Sequence, residues 1–149
     1  MTEDTLVLVG CGQNKRDSKQ PIWKLYEGDY FDKKMTLAML LGHPAVLSAK
    51  HGLVMPHEKI EPYDEDLREK EDYKKESWAL SVFNSIPEDY EKVAILAGKD
   101  YREHLIPMLE SANFEVDSPF DSNEMSGIGD QIEWLGKCIE EEIEKRKAY

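Results

Sequence analysis

Three short runs in this chain are apolar at every position: Leu6-Val7-Leu8-Val9, Ala45-Val46-Leu47 and Val93-Ala94-Ile95-Leu96. A strand with one wet face alternates apolar and polar residues, whereas a strand apolar on both faces must be covered on both sides. Helical spacing fills the intervals: Phe31, Met35 and Ala38 share one helix face, and so do Ile128, Ile132, Leu135, Ile139 and Ile143. The alternation predicts an α/β fold of three layers (α/β/α), with a parallel sheet of about four strands and right-handed crossovers. Strands are expected at 5–10, 45–49, 92–97 and 114–118, and helices at 29–41, 67–85, from Asp100 onward and from about 128. Gly42 and Pro44 stop the first helix, and Asp100 with Glu103 three residues on reads as a capping box. Residues 11–27 and 50–66 read as two long loops. No repeat or linker divides the chain, so residues 1–149 are read as a single α/β domain.

Composition narrows the function classes. Asp and Glu number 31 against 19 Lys and Arg, a formal net charge of −12. Such a surface repels polyanions, so extended nucleic-acid binding is not expected, although one basic pocket for a phosphate or a base remains compatible with it. No apolar run approaches the roughly 18 residues of a membrane span, and the acidic start Met1-Thr2-Glu3-Asp4 is unlike a signal peptide. Two cysteines, Cys11 and Cys138, make no disulfide framework. The cytoplasm is the expected compartment. The residues set no oligomeric state.

The residues just past each apolar run carry the chemistry. In open parallel sheets ligands bind beyond the carboxyl ends of the strands. The first run leads into Gly10-Cys11-Gly12-Gln13-Asn14-Lys15, where glycines let backbone N–H groups approach an anion and Lys15 adds charge. Lys15 reads either as a phosphate ligand, as a nucleophile if burial lowers its pKa, or as a surface lysine. Cys11 reads as a ligand contact or a small core residue. The second run leads into Ser48-Ala49-Lys50-His51-Gly52. There His51 can relay protons to Ser48 or Lys50, or else Ser48 caps a turn with Lys50 solvated. Further on, Tyr63 can stack on a planar ligand and Asp64 can accept from a base edge or act as a general base. Tyr101 and Arg102 lie beyond the third run, Arg102 suiting either a ligand carboxylate or phosphate or an ion pair with one of the chain's own many carboxylates. Gly127 and Gly129 open the last helix and leave N–H groups free for an anion. No Gly-x-Ser-x-Gly elbow, Walker motif or glycine-rich flavin or nicotinamide signature is present. No pair among the histidines and cysteines has zinc-ligand spacing. No cofactor and no metal are therefore expected.

Several motifs together carry a resemblance: Val9-Gly10-Cys11-Gly12-x-x-Lys15, Leu25-Tyr26-x-Gly28-x-x-Phe31, Leu47-Ser48-Ala49-Lys50-His51-Gly52-Leu53, Pro62-Tyr63-Asp64, Ala97-Gly98-x-x-Tyr101-Arg102 and Gly127-Ile128-Gly129-x-Gln131. Over nearly its whole length the chain resembles a family of small uncharacterised bacterial, archaeal and phage proteins catalogued as a domain of unknown function. It is more distantly similar to a domain of archaeosine synthase, which modifies a deazaguanine in tRNA. Cys11, Lys15, Ser48, Gly52, Leu53, Tyr63 and Asp64 match that domain's pattern, and this likeness implies a nucleophilic role for Lys15. Uracil-DNA-glycosylase-like folds share the expected architecture, but their Gly-Gln-Asp-Pro-Tyr motif is absent.

The expected function is an enzyme acting on a nucleobase, nucleoside or nucleotide. Lys15, His51 and Asp64 would do the chemistry, and Cys11, Gly12, Ser48, Lys50, Tyr63, Tyr101, Arg102, Gly127 and Gly129 would bind. The alternatives are a noncatalytic nucleotide-binding module and a protein-interaction module.

Overall fold

The computed structural model describes residues 5–11, 15–122, 125 and 127–147. In chain order the elements are β1 (Thr5–Gly10), β2 (Gln20–Pro21), α1 (Ile22–Leu25), α2 (Asp29–Leu41), β3 (His43–Ser48), β4 (Gly52–Val54) and β5 (Lys59–Ile60). A 3-10 turn at Leu67–Glu69 is followed by α3 (Asp72–Ser85), β6 (Lys92–Leu96), α4 (Lys99–Arg102), α5 (Leu105–Ser111), β7 (Glu115–Asp117), α6 (Pro119–Ser122) and α7 (Ile128–Lys147). The main sheet runs β4-β3-β1-β6-β7. Four of its strands are parallel; β4 is an antiparallel edge, and β2 pairs with β5 in a separate ribbon.

β1 is the centre of the molecule. It pairs in parallel with β3 on one side and β6 on the other, and all six of its residues are buried. Its side chains alternate between two cores, as a pleated strand requires. Leu6 and Leu8 pack with Trp78, Ala79 and Val82 of α3 and Leu105 and Leu109 of α5. Val7 and Val9 pack with Ile22 and Leu25 of α1, Phe31, Met35 and Ala38 of α2, and Leu135 of α7. The expected three layers are thus present, with α2 and α7 on one face and α3 and α5 on the other.

The structure corrects the expected details at four places. β7 is the fourth strand expected at 114–118, but the sheet gains a fifth, β4, inside the segment read as a loop: Gly52, at φ +73, turns the chain back so that Leu53 pairs with Leu47. The segment 11–27 holds a short helix because Ile22, Leu25 and Tyr26 are needed in the core. The helix expected over 67–85 begins at Asp72, after the 3-10 turn. The helix after β6 is broken at His104, and Gly98, not Asp100, stands at its N-cap; Asp100 instead pairs with Lys75 at 2.8 Å.

Chain order moves from β1 outward to β3 and then across to β6, so the sheet changes direction between β1 and β6. Such a switch point leaves a crevice beyond the strand ends. The strands close tightly just below it: a Cβ on Gly10 would meet the Ala97 Cβ at 3.0 Å. At the other end of the sheet a Cβ on Gly42 would lie 2.4 Å from the Thr5 carbonyl oxygen, a clash that only backbone movement relieves. Gly42→Ala is expected to destabilise the fold by about 1–3 kcal/mol, read as a lower denaturant midpoint at unchanged slope.

Candidate functional site

Residues from five segments meet beyond the carboxyl ends of β1, β3 and β6. Cys11 continues the β1–β3 ladder by one bond, its N–H donating to the Leu47 carbonyl at 3.1 Å. That fixes its side chain at the switch point, where the thiol lies 2.8 Å from the Tyr101 hydroxyl. Tyr101 is held by the indole of Trp78, whose ring stands edge-on to it at 5.4 Å and whose Nε1–H donates to the Ser48 carbonyl at 2.8 Å.

Ser48 closes the second strand. Its hydroxyl accepts from the backbone N–H groups of Lys50 and His51 and donates to the Tyr63 hydroxyl at 2.8 Å. This is a serine turn in which the side chain satisfies the hairpin it starts. The hydroxyl proton is committed to Tyr63, so Ser48 serves as a brace for the phenols. Tyr63 in turn hydrogen-bonds Tyr26, which is almost fully buried.

The cluster is a small group of largely buried phenols around one thiol. Burial raises Tyr26, Tyr63 and Tyr101 above the usual phenol range, and the neighbouring Cys11 reinforces the rise in each. All three therefore stay neutral and keep their protons at physiological pH, as hydrogen-bond donors do. Tyr30 is pushed up to about 12 by burial, against the pull of the Arg102 charge, and its hydroxyl donates to Gln131 at the start of α7.

Two lysines bring positive charge. The Lys15 ammonium sits over the Tyr63 ring, 4.6 Å from its centroid, and 5.7 Å from that of Tyr26. Lys15 is fixed by a backbone bridge to Tyr26. Lys34 comes from α2 and is only 3% exposed. Its Nζ donates to the Gly10 carbonyl at 3.0 Å and lies 4.2 Å from the Tyr30 ring centroid. Burial lowers it to about 8, partly offset by Cys11.

The sequence-derived residues divide accordingly. Cys11, Lys15, Ser48, Tyr63 and Tyr101 come together. His51 is exposed at the rim, its ring edge-on to Tyr63 at 5.4 Å. Lys50 and Asp64 are exposed, and neither side chain joins the hydrogen-bonded cluster. Arg102 turns to the Ala97 carbonyl at 2.9 Å and to Asp121 at 3.3 Å, and helps line a shallow cavity of 300 Å³ with Lys99 and Ile106. Gly127 and Gly129 are exposed at the start of α7, and Gly12 lies outside the described residues. Tyr26 entered the sequence reading only within a motif of the resemblance, not as a site residue, and Tyr30 and Lys34 were missed. Lys34 did leave a signal: it stands three residues after Phe31 and four before Ala38, on a helix face otherwise apolar.

Among the described residues, three potential metal ligands meet away from this cluster: Asp72, Glu103 and His104, with ligand atoms within 4.8 Å of one another. Lys75 stands among the same carboxylates, drawn up chiefly by its hydrogen bond to Asp100 and also by Glu103 and Asp72. Its ammonium already occupies the electrostatic role a cation would fill there. Cys138 is half-buried in α7 and remote in sequence from the cluster, and both cysteines are free thiols. Among the described residues no helix is long and apolar enough to cross a membrane.

Lys34 has a measurable signature. Its amine is less basic folded than unfolded, so between about 8 and 10.5 the unfolded chain holds the extra proton and stability rises with pH. Below that window the charged form is buried at full cost. Lys34→Met removes the cost, on the order of 3 kcal/mol, together with one hydrogen bond worth about 1 kcal/mol. The variant is expected to be at least as stable as the native protein at pH 7, with the gap narrowing toward pH 10; denaturant titrations at both pH values check this. Tyr63→Phe leaves the Ser48 hydroxyl without its acceptor and should cost about 1–3 kcal/mol by the same measurement.

No curated protein matches the chain. A model of a family of unknown function matches residues 6–137, nearly the whole of it. On that match, the chain belongs to the family of unknown function DUF6884.

Proposed function

We propose that this protein is an enzyme acting on a nucleobase, nucleoside or nucleotide at the carboxyl edge of β1, β3 and β6. The observation that supports the reading is the convergence of Cys11, Ser48, Tyr26, Tyr63, Tyr101 and Lys15 at a sheet switch point, from segments far apart in the chain. A nucleobase is planar and rimmed with carbonyl and ring-nitrogen acceptors. Neutral phenols and ammonium groups are the donors that such a rim needs, and in a dry site they hold their protons until a developing charge demands one. Lys15, at the phenol face, is the group that attacks or holds an anion. His51, at the rim and edge-on to Tyr63, is placed to pass a proton between the cluster and solvent. Asp64, next to Tyr63, accepts from a base edge, and Arg102 steadies an anionic group from the β6 side.

The second reading is a binding module without turnover. It draws on the hydrogen bonds of Ser48, all of which are satisfied inside the protein. A thermal-shift screen with nucleobases, nucleosides and nucleotides, followed by chromatography for products, separates the two. A ligand at a hundredfold excess over its Kd adds about 2.7 kcal/mol, a rise of several degrees for a chain of this size. The enzyme reading expects such a rise together with a new product, and a loss of at least tenfold in turnover for Lys15→Ala and His51→Ala. Binding without product supports the module. Binding and turnover unchanged in both variants would remove Lys15 and His51 from the account.

A further inference from the structure

Lys34 is a buried cation with no described anion beside it. Its side chain lies in the layer between α2 and the end of β1, and among the described residues no carboxylate comes within ion-pair distance of it. That is unexpected in a chain carrying 31 Asp and Glu residues. Buried charges are ordinarily paired, because an isolated ion in an apolar interior loses its hydration without compensation. A leucine at this place in α2 would pack without that cost. The ammonium spends one N–H on the Gly10 carbonyl and faces the Tyr30 ring, leaving donor capacity toward the switch point where Cys11 sits. Arg102 lies close enough for its charge to bear on Tyr30, although its guanidinium is itself paired with Asp121.

We propose that an anionic group of the ligand, a phosphate, docks against Lys34 at the carboxyl end of β1, between Tyr30 and Cys11, and supplies the counter-charge that no described residue provides. The inference rests on the functional reading above for the place of the ligand, and adds that the substrate is a phosphorylated member of that class. The phosphate oxygens accept from the Lys34 ammonium in a charge-assisted bond. A bound dianion also favours the protonated amine, reversing the effect of burial. The neutral phenols and Lys15 are left for the base.

The test compares inorganic phosphate, the four common nucleosides and their 5′-monophosphates as ligands of the full chain at pH 7. It uses calorimetry at matched ionic strength, on the native protein, Lys34→Met and Lys34→Arg. The expected result is that at least one monophosphate binds tenfold or more tightly than its own nucleoside. Lys34→Met loses that gain, and Lys34→Arg, which keeps the charge, retains part of it. If nucleosides and monophosphates bind equally, the phosphate inference is wrong while the functional reading stands. If inorganic phosphate saturates the native protein and not Lys34→Met, but no nucleoside or nucleotide binds, the inference stands and the reading falls. If neither phosphate nor monophosphate binds the native protein, the inference is overturned without recourse to any variant.

Discussion

The position of β1 between two parallel partners is the constraint on which everything else depends. Each of its residues is sealed from water by a strand on either side and a helical layer on either face. A strand so placed has no freedom of register, because a slip of one residue would exchange the leucines facing α3 and α5 with the valines facing α1 and α2. Its end point is therefore fixed, and with it Cys11, which the last ladder bond to Leu47 holds at the crevice. Gly10 permits the approach of β6 that brings Tyr101 within reach of that thiol.

The electrostatics of the molecule divide sharply between outside and inside. The exterior is acidic, and its carboxylates pair with surface lysines and arginines at helix spacing or across loops, pairs worth little individually. The crevice holds the opposite character: phenols kept neutral by burial, two ammonium groups against aromatic rings, and no carboxylate hydrogen-bonded into the cluster among the described residues. The acidic exterior turns polyanions away, while a small anion that reaches the crevice meets cations and donors in a medium where their fields are weakly screened. On the proposed reading, selectivity for a small ligand over an extended nucleic acid would follow from that contrast.

The sequence was most legible where burial on both faces left an unbroken apolar run, and where a helix had clear breakers. α2 has the bounds its Gly28 and Gly42 flanks imply. Legibility failed where tertiary contacts override local pattern. β4 is three residues long, too short to show alternation, and exists because Ser48 and Gly52 close a turn. α1 is a single turn held by the burial of Ile22 and Leu25. At the site, residues directly following the apolar runs were visible because topology sends every parallel strand end to one edge. Tyr26, Tyr30 and Lys34 were not, because they enter from helices and loops whose approach to that edge is set by packing. The Ser48 turn shows the converse: a strand end rich in polar residues spends its serine on its own hairpin and leaves Lys50 and His51 at the rim.

The central claim is that ligand binds at the edge shared by β1, β3 and β6. Amide hydrogen exchange, compared with and without a saturating nucleotide, tests it most directly. The expected result is added protection concentrated at 10–11, 48–51 and 97–102, with the carboxyl half of α7 and the β2–β5 ribbon unchanged. Protection confined to α7 or to the ribbon, with those three strand ends unaltered, would contradict the account.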